Sequence, residues 1–152
     1  ISLGFIMRGE IIWQKSKGAN ANFAWGSWLS ASNPVIRDIH EYCLVFSKDS
    51  MTKASKGAST IEKEEFMDST LSIWNIPPAR AKKIGHPAPY PTELVERFIK
   101  LYTYEGELIL DPFIGSGTTA ISALNLNRNY LGYETNEDYI KLANKRIKEE
   151  TS

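Results

Sequence analysis

"ILDPFIGSGTTA", residues Ile109 to Ala120, places an acid, a proline, two glycines and two threonines directly after an apolar run. Gly115 and Gly117 allow the backbone to turn sharply and let a ligand approach the main chain where a Cβ would collide. The helix expected from Thr118 then offers unpaired N–H groups and the positive end of its dipole to that ligand. Outward from the loop, "ELILDPF" reads as a strand stopped by Pro112, "TTAISALNL" as a helix and "NYLGYE" as the next strand. "NEDYIKLANKRIKEE" reads as an amphipathic helix with Ile140, Ala143 and Ile147 on one face. This order predicts an α/β fold with a parallel sheet and a right-handed crossover.

Glu134 stands nineteen residues beyond Gly115, where an acid can accept hydrogen bonds from both hydroxyls of a ribose. "GSGTTA" with that acid also fits the dinucleotide pattern, so an NAD-binding oxidoreductase half is an alternative. Asp111 separates the two readings. A carboxylate at the strand tip repels a pyrophosphate but suits a ligand carrying an ammonium group. S-adenosylmethionine combines an α-amino group, a carboxylate and a ribose.

Upstream, "GEIIWQK" (9–15) and "EYCLVFSK" (41–48) read as two buried strands, and the Gly-, Ser- and Asn-rich stretch between them as loop. Residues 49–59 read as a mobile surface segment and "IEKEEFMDSTLSIW" as holding a short helix. "TELVERFIKLYT" is the best-marked helix, with Thr92 as its N-cap and Leu94, Val95, Phe98, Ile99 and Tyr102 as its apolar stripe.

The 152 residues, 42% of them hydrophobic, suffice for one domain-sized core. Net charge is zero, but residues 1–60 carry seven Lys/Arg against four Asp/Glu and residues 61–152 eleven against fourteen, which permits a basic nucleic-acid face. The single cysteine, Cys43, excludes a disulfide scaffold and a Cys-rich zinc site. His40-Glu41 is not a His-Glu-x-x-His motif, because position 44 is Leu, so no metal is expected. No apolar run approaches the ~18 residues of a membrane span. A cytoplasmic protein is expected.

"DPFIGSGTT", "YLGYETNEDYIKLANKRI" and "HPAPYP-TELVERFI" occur in the order found in the permuted, β-class DNA amino-methyltransferases, which the chain resembles over nearly its whole length. The resemblance implies a Rossmann-like S-adenosylmethionine-dependent methyltransferase fold acting on the N4 of cytosine or the N6 of adenine in double-stranded DNA, within a restriction-modification system. It implies that Asp111, Pro112 and the backbone of Phe113, Gly115, Ser116 and Gly117 hold the methionine end of the cofactor, with Thr118 and Thr119 at the helix start. It gives Glu134 the ribose, and His86, Pro87 and Ala88 another wall of the pocket; for His86 a proline-stiffened turn is an equal reading.

Methyl transfer to an exocyclic amine also needs a flipped, stacked and hydrogen-bonded base. The family achieves this with Asp, Asn or Ser followed by Pro-Pro and an aromatic residue, and the chain has no such tetrapeptide. "NIPPA" (75–79) has an intervening isoleucine and an alanine for the aromatic, and "SNPV" (32–35) has one proline and no aromatic. The resemblance places the catalytic segment before Ile1, on a central strand between the glycine-loop strand and the "GEIIW" strand. The expectation is therefore an incomplete fold over 1–152: strands flanking the catalytic half in 1–48, a target-recognition-like region in 49–75, and a cofactor-binding half in 86–152. A complementary N-terminal segment or chain would supply the rest. A catalytically dead, DNA-binding relic is the non-enzyme alternative. For Trp13, Trp25, Trp28 and Trp74 alike a core or loop anchor is the stronger reading, with Trp25 and Trp28 the better base-stacking candidates, and Lys15, Lys17, Arg37, Lys53 and Lys56 could meet phosphates.

Overall fold

The computed structural model describes residues 3–15, 28–29, 31, 34, 36, 38–80, 84–85 and 88–151, and these divide into two compact units. His86, Pro87, Trp25, Lys17 and Arg37 lie outside the described residues.

The first unit holds β1 (Phe5–Gln14), β2 (His40–Lys48) and β3 (Ile73–Asn75) in the order β2-β1-β3. β1 pairs antiparallel with β2 and parallel with β3, so Trp13 lies beside Trp74. Ile11, Trp13 and Trp74 alternate onto one buried face, and Trp13 Nε1 donates to the Ile76 carbonyl at 2.8 Å. Met7, Tyr42, Leu44, Phe46 and Ile73 are exposed. The expectation of two buried strands is thus corrected: these apolar runs cover one side only. β2 flanks the length of β1, whereas β3 pairs only with its last three residues, Ile12 to Gln14. The register skips Arg8, a β-bulge whose guanidinium donates to Ser47 Oγ at 2.8 Å and to the Met51 carbonyl at 2.7 Å.

The second unit holds α1 (Lys63–Ser69), α2 (Thr92–Tyr102), β4 (Leu108–Asp111), α3 (Thr118–Asn125), β5 (Asn129–Gly132) and α4 (Glu137–Glu150). β4 and β5 pair in parallel, joined through α3, as a strand-loop-helix-strand unit requires. Ala120, Ile121, Ser122 and Ala123 are buried, and α3 packs against α2, α4, β4 and β5 as the unit's central element. On α2, Leu94 and Ile99 are buried. Its N-cap is Pro91 rather than Thr92, because the proline holds extended backbone one residue earlier. Asn136 caps α4, accepting from the Asp138 and Tyr139 amides. Ala143 alone of the expected α4 stripe is fully buried, and Ile140 is exposed.

Residues 52–58 are tied down rather than loose. Lys53 pairs with Glu107 and donates to the Tyr102 carbonyl, the Ala58 carbonyl accepts from Glu105 N, and Gly57 lies so close to Tyr104 that a Cβ would meet its side chain at 2.7 Å. Arg128, 2% exposed, donates to Thr60 Oγ1, to the Thr103 carbonyl and hydroxyl, and to the Leu126 carbonyl.

Candidate functional site

β4 ends at Asp111, and the chain crosses from there to α3 over six residues, Pro112 to Gly117. The carboxylate of Asp111 organises this crossing. Oδ1 accepts from the Phe113 amide at 2.9 Å, and Oδ2 accepts from the Thr119 hydroxyl at 2.5 Å and from the Tyr90 hydroxyl at 3.0 Å. Tyr90 and Thr119 lie 3.1 Å apart. Burial, with a further push from the Asp111 charge and against the Thr119 hydrogen bond, pushes the Tyr90 phenol up to about 12, so it stays a neutral donor at physiological pH.

Gly115 (φ 51°) and Gly117 (φ 85°) both adopt positive φ. A Cβ on Gly117 would stand 3.1 Å from the Cβ of Ala143, so the glycine also permits α4 to approach the loop. Gly117, the N-cap of α3, brings no side-chain acceptor to the helix's first turn. Gly115 to Thr119 are buried, while Phe113 is 83% exposed on the loop's outer side.

Glu134, two residues past β5, folds onto the same loop. Its Oε2 accepts from Gly115 N at 3.1 Å and its Oε1 from Thr135 N at 2.8 Å and Asn136 N at 2.9 Å. Gly132 makes this fit possible, because a Cβ there would lie 2.2 Å from Ile114 Cδ1. Arg146, from α4, braces the opposite side: its Nη1 donates to the Ser116 carbonyl at 2.8 Å and Ser116 Oγ at 3.1 Å.

Asp111, Phe113, Gly115, Ser116, Gly117, Thr119 and Glu134 are thus assembled around one turn of main chain, with Pro112 exposed at its start and Thr118 opening α3. Ala88 stands two residues before Tyr90, exposed on the proline-rich segment that leads to α2. Sequence reading missed Tyr90 and Arg146. A tyrosine held between Pro89 and Pro91 is the signal for the first, and the second lies on the charged side of a surface helix, where nothing marks it. A cavity of about 710 Å³ is lined by Tyr90 and by Thr118 at the start of α3, but neither acid lines it. The site is defined by hydrogen-bond geometry rather than by that cavity.

A family model described as DNA methylase matches residues 1–145. The chain is 35% identical to the type II methyltransferase M.BglI of Bacillus subtilis, over 95% of this chain and 39% of that protein. It is 31% identical to the type II methyltransferase M.MthZI of Methanothermobacter thermautotrophicus, over 96% of this chain and 44% of that protein. A putative DNA modification methylase from Thermus thermophilus, solved in complex with S-adenosyl-L-methionine, superposes with a TM-score of 0.79 at 30% identity, covering 99% of this chain and 56% of that one. The chain therefore spans about half the length of its relatives or less.

Proposed function

The chain belongs to the DNA methylase family, and from that premise we propose that it forms the cofactor-binding half of a cytoplasmic, site-specific DNA methyltransferase. That enzyme would move the methyl group of S-adenosylmethionine to the N4 of cytosine or the N6 of adenine in double-stranded DNA, as the modification arm of a restriction-modification system. The observation that carries this reading is the convergence of two carboxylates, Asp111 and Glu134, on one buried glycine turn.

The residues fit the cofactor's chemistry. Among the described residues Oδ2 of Asp111 has two donors and Oδ1 one, so Oδ1 keeps an acceptor position for an ammonium proton. Asp111 would hold the amino group, the uncapped start of α3 the carboxylate, and Glu134 the ribose hydroxyls. His86, Pro87 and Ala88 would close another wall. The cofactor supplies a methyl group on a sulfonium, and the chain's own contribution is to fix its orientation. An acid at the strand tip disfavours the diphosphate of NAD.

The same reading assigns the remaining half to a complementary segment or chain. In the second unit β4 has a strand on one side only among the described residues, and Leu108, Leu110 and Leu131 are exposed. A groove of about 380 Å³ lined by Leu94, Val95, Phe98 and Ile109 adds uncovered apolar surface.

The test is transfer of a labelled methyl group from S-adenosylmethionine to DNA by the protein as its gene encodes it. The expected product in the hydrolysed DNA is N4-methylcytosine or N6-methyladenine. Label confined to C5 of cytosine, or DNA binding with no transfer when a complementing chain is present, would overturn the assignment.

A further inference from the structure

Asp111 receives two donors from its own turn, Phe113 N and Thr119 Oγ1, and a third from Tyr90, twenty-one residues upstream. Tyr90 stands between Pro89 and Pro91, which restrict the backbone on both sides of it. Its single proton faces two oxygens, Asp111 Oδ2 at 3.0 Å and Thr119 Oγ1 at 3.1 Å. With the Thr119 hydroxyl directed at Asp111, the tyrosine fills the second acceptor position of Oδ2 and ties the segment before α2 to the glycine turn.

We propose that Tyr90 is a positioning residue for the cofactor's amino group: by occupying Oδ2 of Asp111 it turns the free acceptor position of Oδ1 toward the ligand. This rests on the reading of Asp111 as the ammonium acceptor given above. Without the phenol the carboxylate keeps its charge and its hydrogen bonds from Phe113 N and Thr119 Oγ1 but is held less tightly, and a ligand must then complete its alignment on binding. The effect falls on ligands with an α-amino group and spares those without one.

The test uses Tyr90→Phe, which removes one oxygen, in the protein as its gene encodes it. Calorimetry compares S-adenosylmethionine with 5′-methylthioadenosine, which keeps the adenosine and the sulfur and lacks the amino-acid arm. The expected result is about tenfold weaker binding of S-adenosylmethionine and unchanged binding of 5′-methylthioadenosine. In an Asp111→Asn background the same substitution should have little further effect, because the two act through one oxygen. Equal loss of both ligands marks a merely structural tyrosine and overturns the proposal, as does an undiminished affinity for S-adenosylmethionine or a full tenfold loss in the Asp111→Asn background. A wild-type protein that binds neither ligand overturns the cofactor reading itself; an intact wild-type affinity that Tyr90→Phe leaves unchanged overturns only the role of Tyr90.

Discussion

The amide of Gly115 donates to Oε2 of Glu134 at 3.1 Å, so the acid that follows β5 holds the turn that follows β4. Glu134 accepts two further amides, those of Thr135 and Asn136, on its other oxygen. An amide side chain has one acceptor oxygen and cannot serve both sets. Glu134→Gln should therefore lower stability by about 1–3 kcal/mol. It should weaken S-adenosylmethionine binding as well. Urea unfolding and calorimetry check the two effects, and a variant unchanged in both would remove Glu134 from the turn's support.

Two glycines with the same backbone strain separate strain from crowding. Gly106 (φ 77°) and Gly117 (φ 85°) are both left-handed, but a Cβ on Gly106 meets nothing within 4 Å while one on Gly117 meets Ala143 at 3.1 Å. Gly106→Ala should cost about 1 kcal/mol for the conformation alone. Gly117→Ala should cost more, by displacing α4 from the turn. Urea midpoints of the two variants give the comparison, and equal losses would mean that α4 yields freely.

Tyr90 titrates at about 12 in the folded chain against an ordinary 10.0. The folded state therefore holds a proton that the unfolded state has released, and this contribution is full below pH 10 and lost as pH rises from 10 to about 12. Wild-type stability should fall across that window more steeply than that of Tyr90→Phe. Denaturation midpoints at intervals from pH 9 upward provide the measurement, and parallel slopes would contradict the burial of this phenol.

Arg128 gathers residues 60, 103 and 126 through one guanidinium. Lysine keeps the charge but lacks the planar fork, so Arg128→Lys should destabilise the second unit by about 2–3 kcal/mol. Loss of this size in thermal unfolding is expected. A neutral result would mean that ammonium and water replace the fork.

The elements from β4 to α4 were legible because proline, glycine and the 3.6-residue period mark their ends within a residue or two. β3 was not, since three residues ending in Trp74 and Asn75 have no measurable period. The burial of β1 and β2 was overread. Continuous aromatic and β-branched runs fit a strand covered on two faces, and here Tyr42, Leu44 and Phe46 share an exposed one. The two acids of the candidate site were legible from spacing around the glycines. Tyr90 and Arg146 reach the turn through tertiary contacts across 21 and 30 residues, and no local pattern encodes these.

The central claim is that the glycine turn and its acids hold S-adenosylmethionine, and direct titration of the protein as its gene encodes it, with S-adenosylmethionine and with NAD in parallel, tests it. The account predicts saturable binding of S-adenosylmethionine, no binding of NAD, and about a tenfold or greater loss in Asp111→Asn. Binding of NAD alone, or an S-adenosylmethionine affinity indifferent to Asp111, would contradict it.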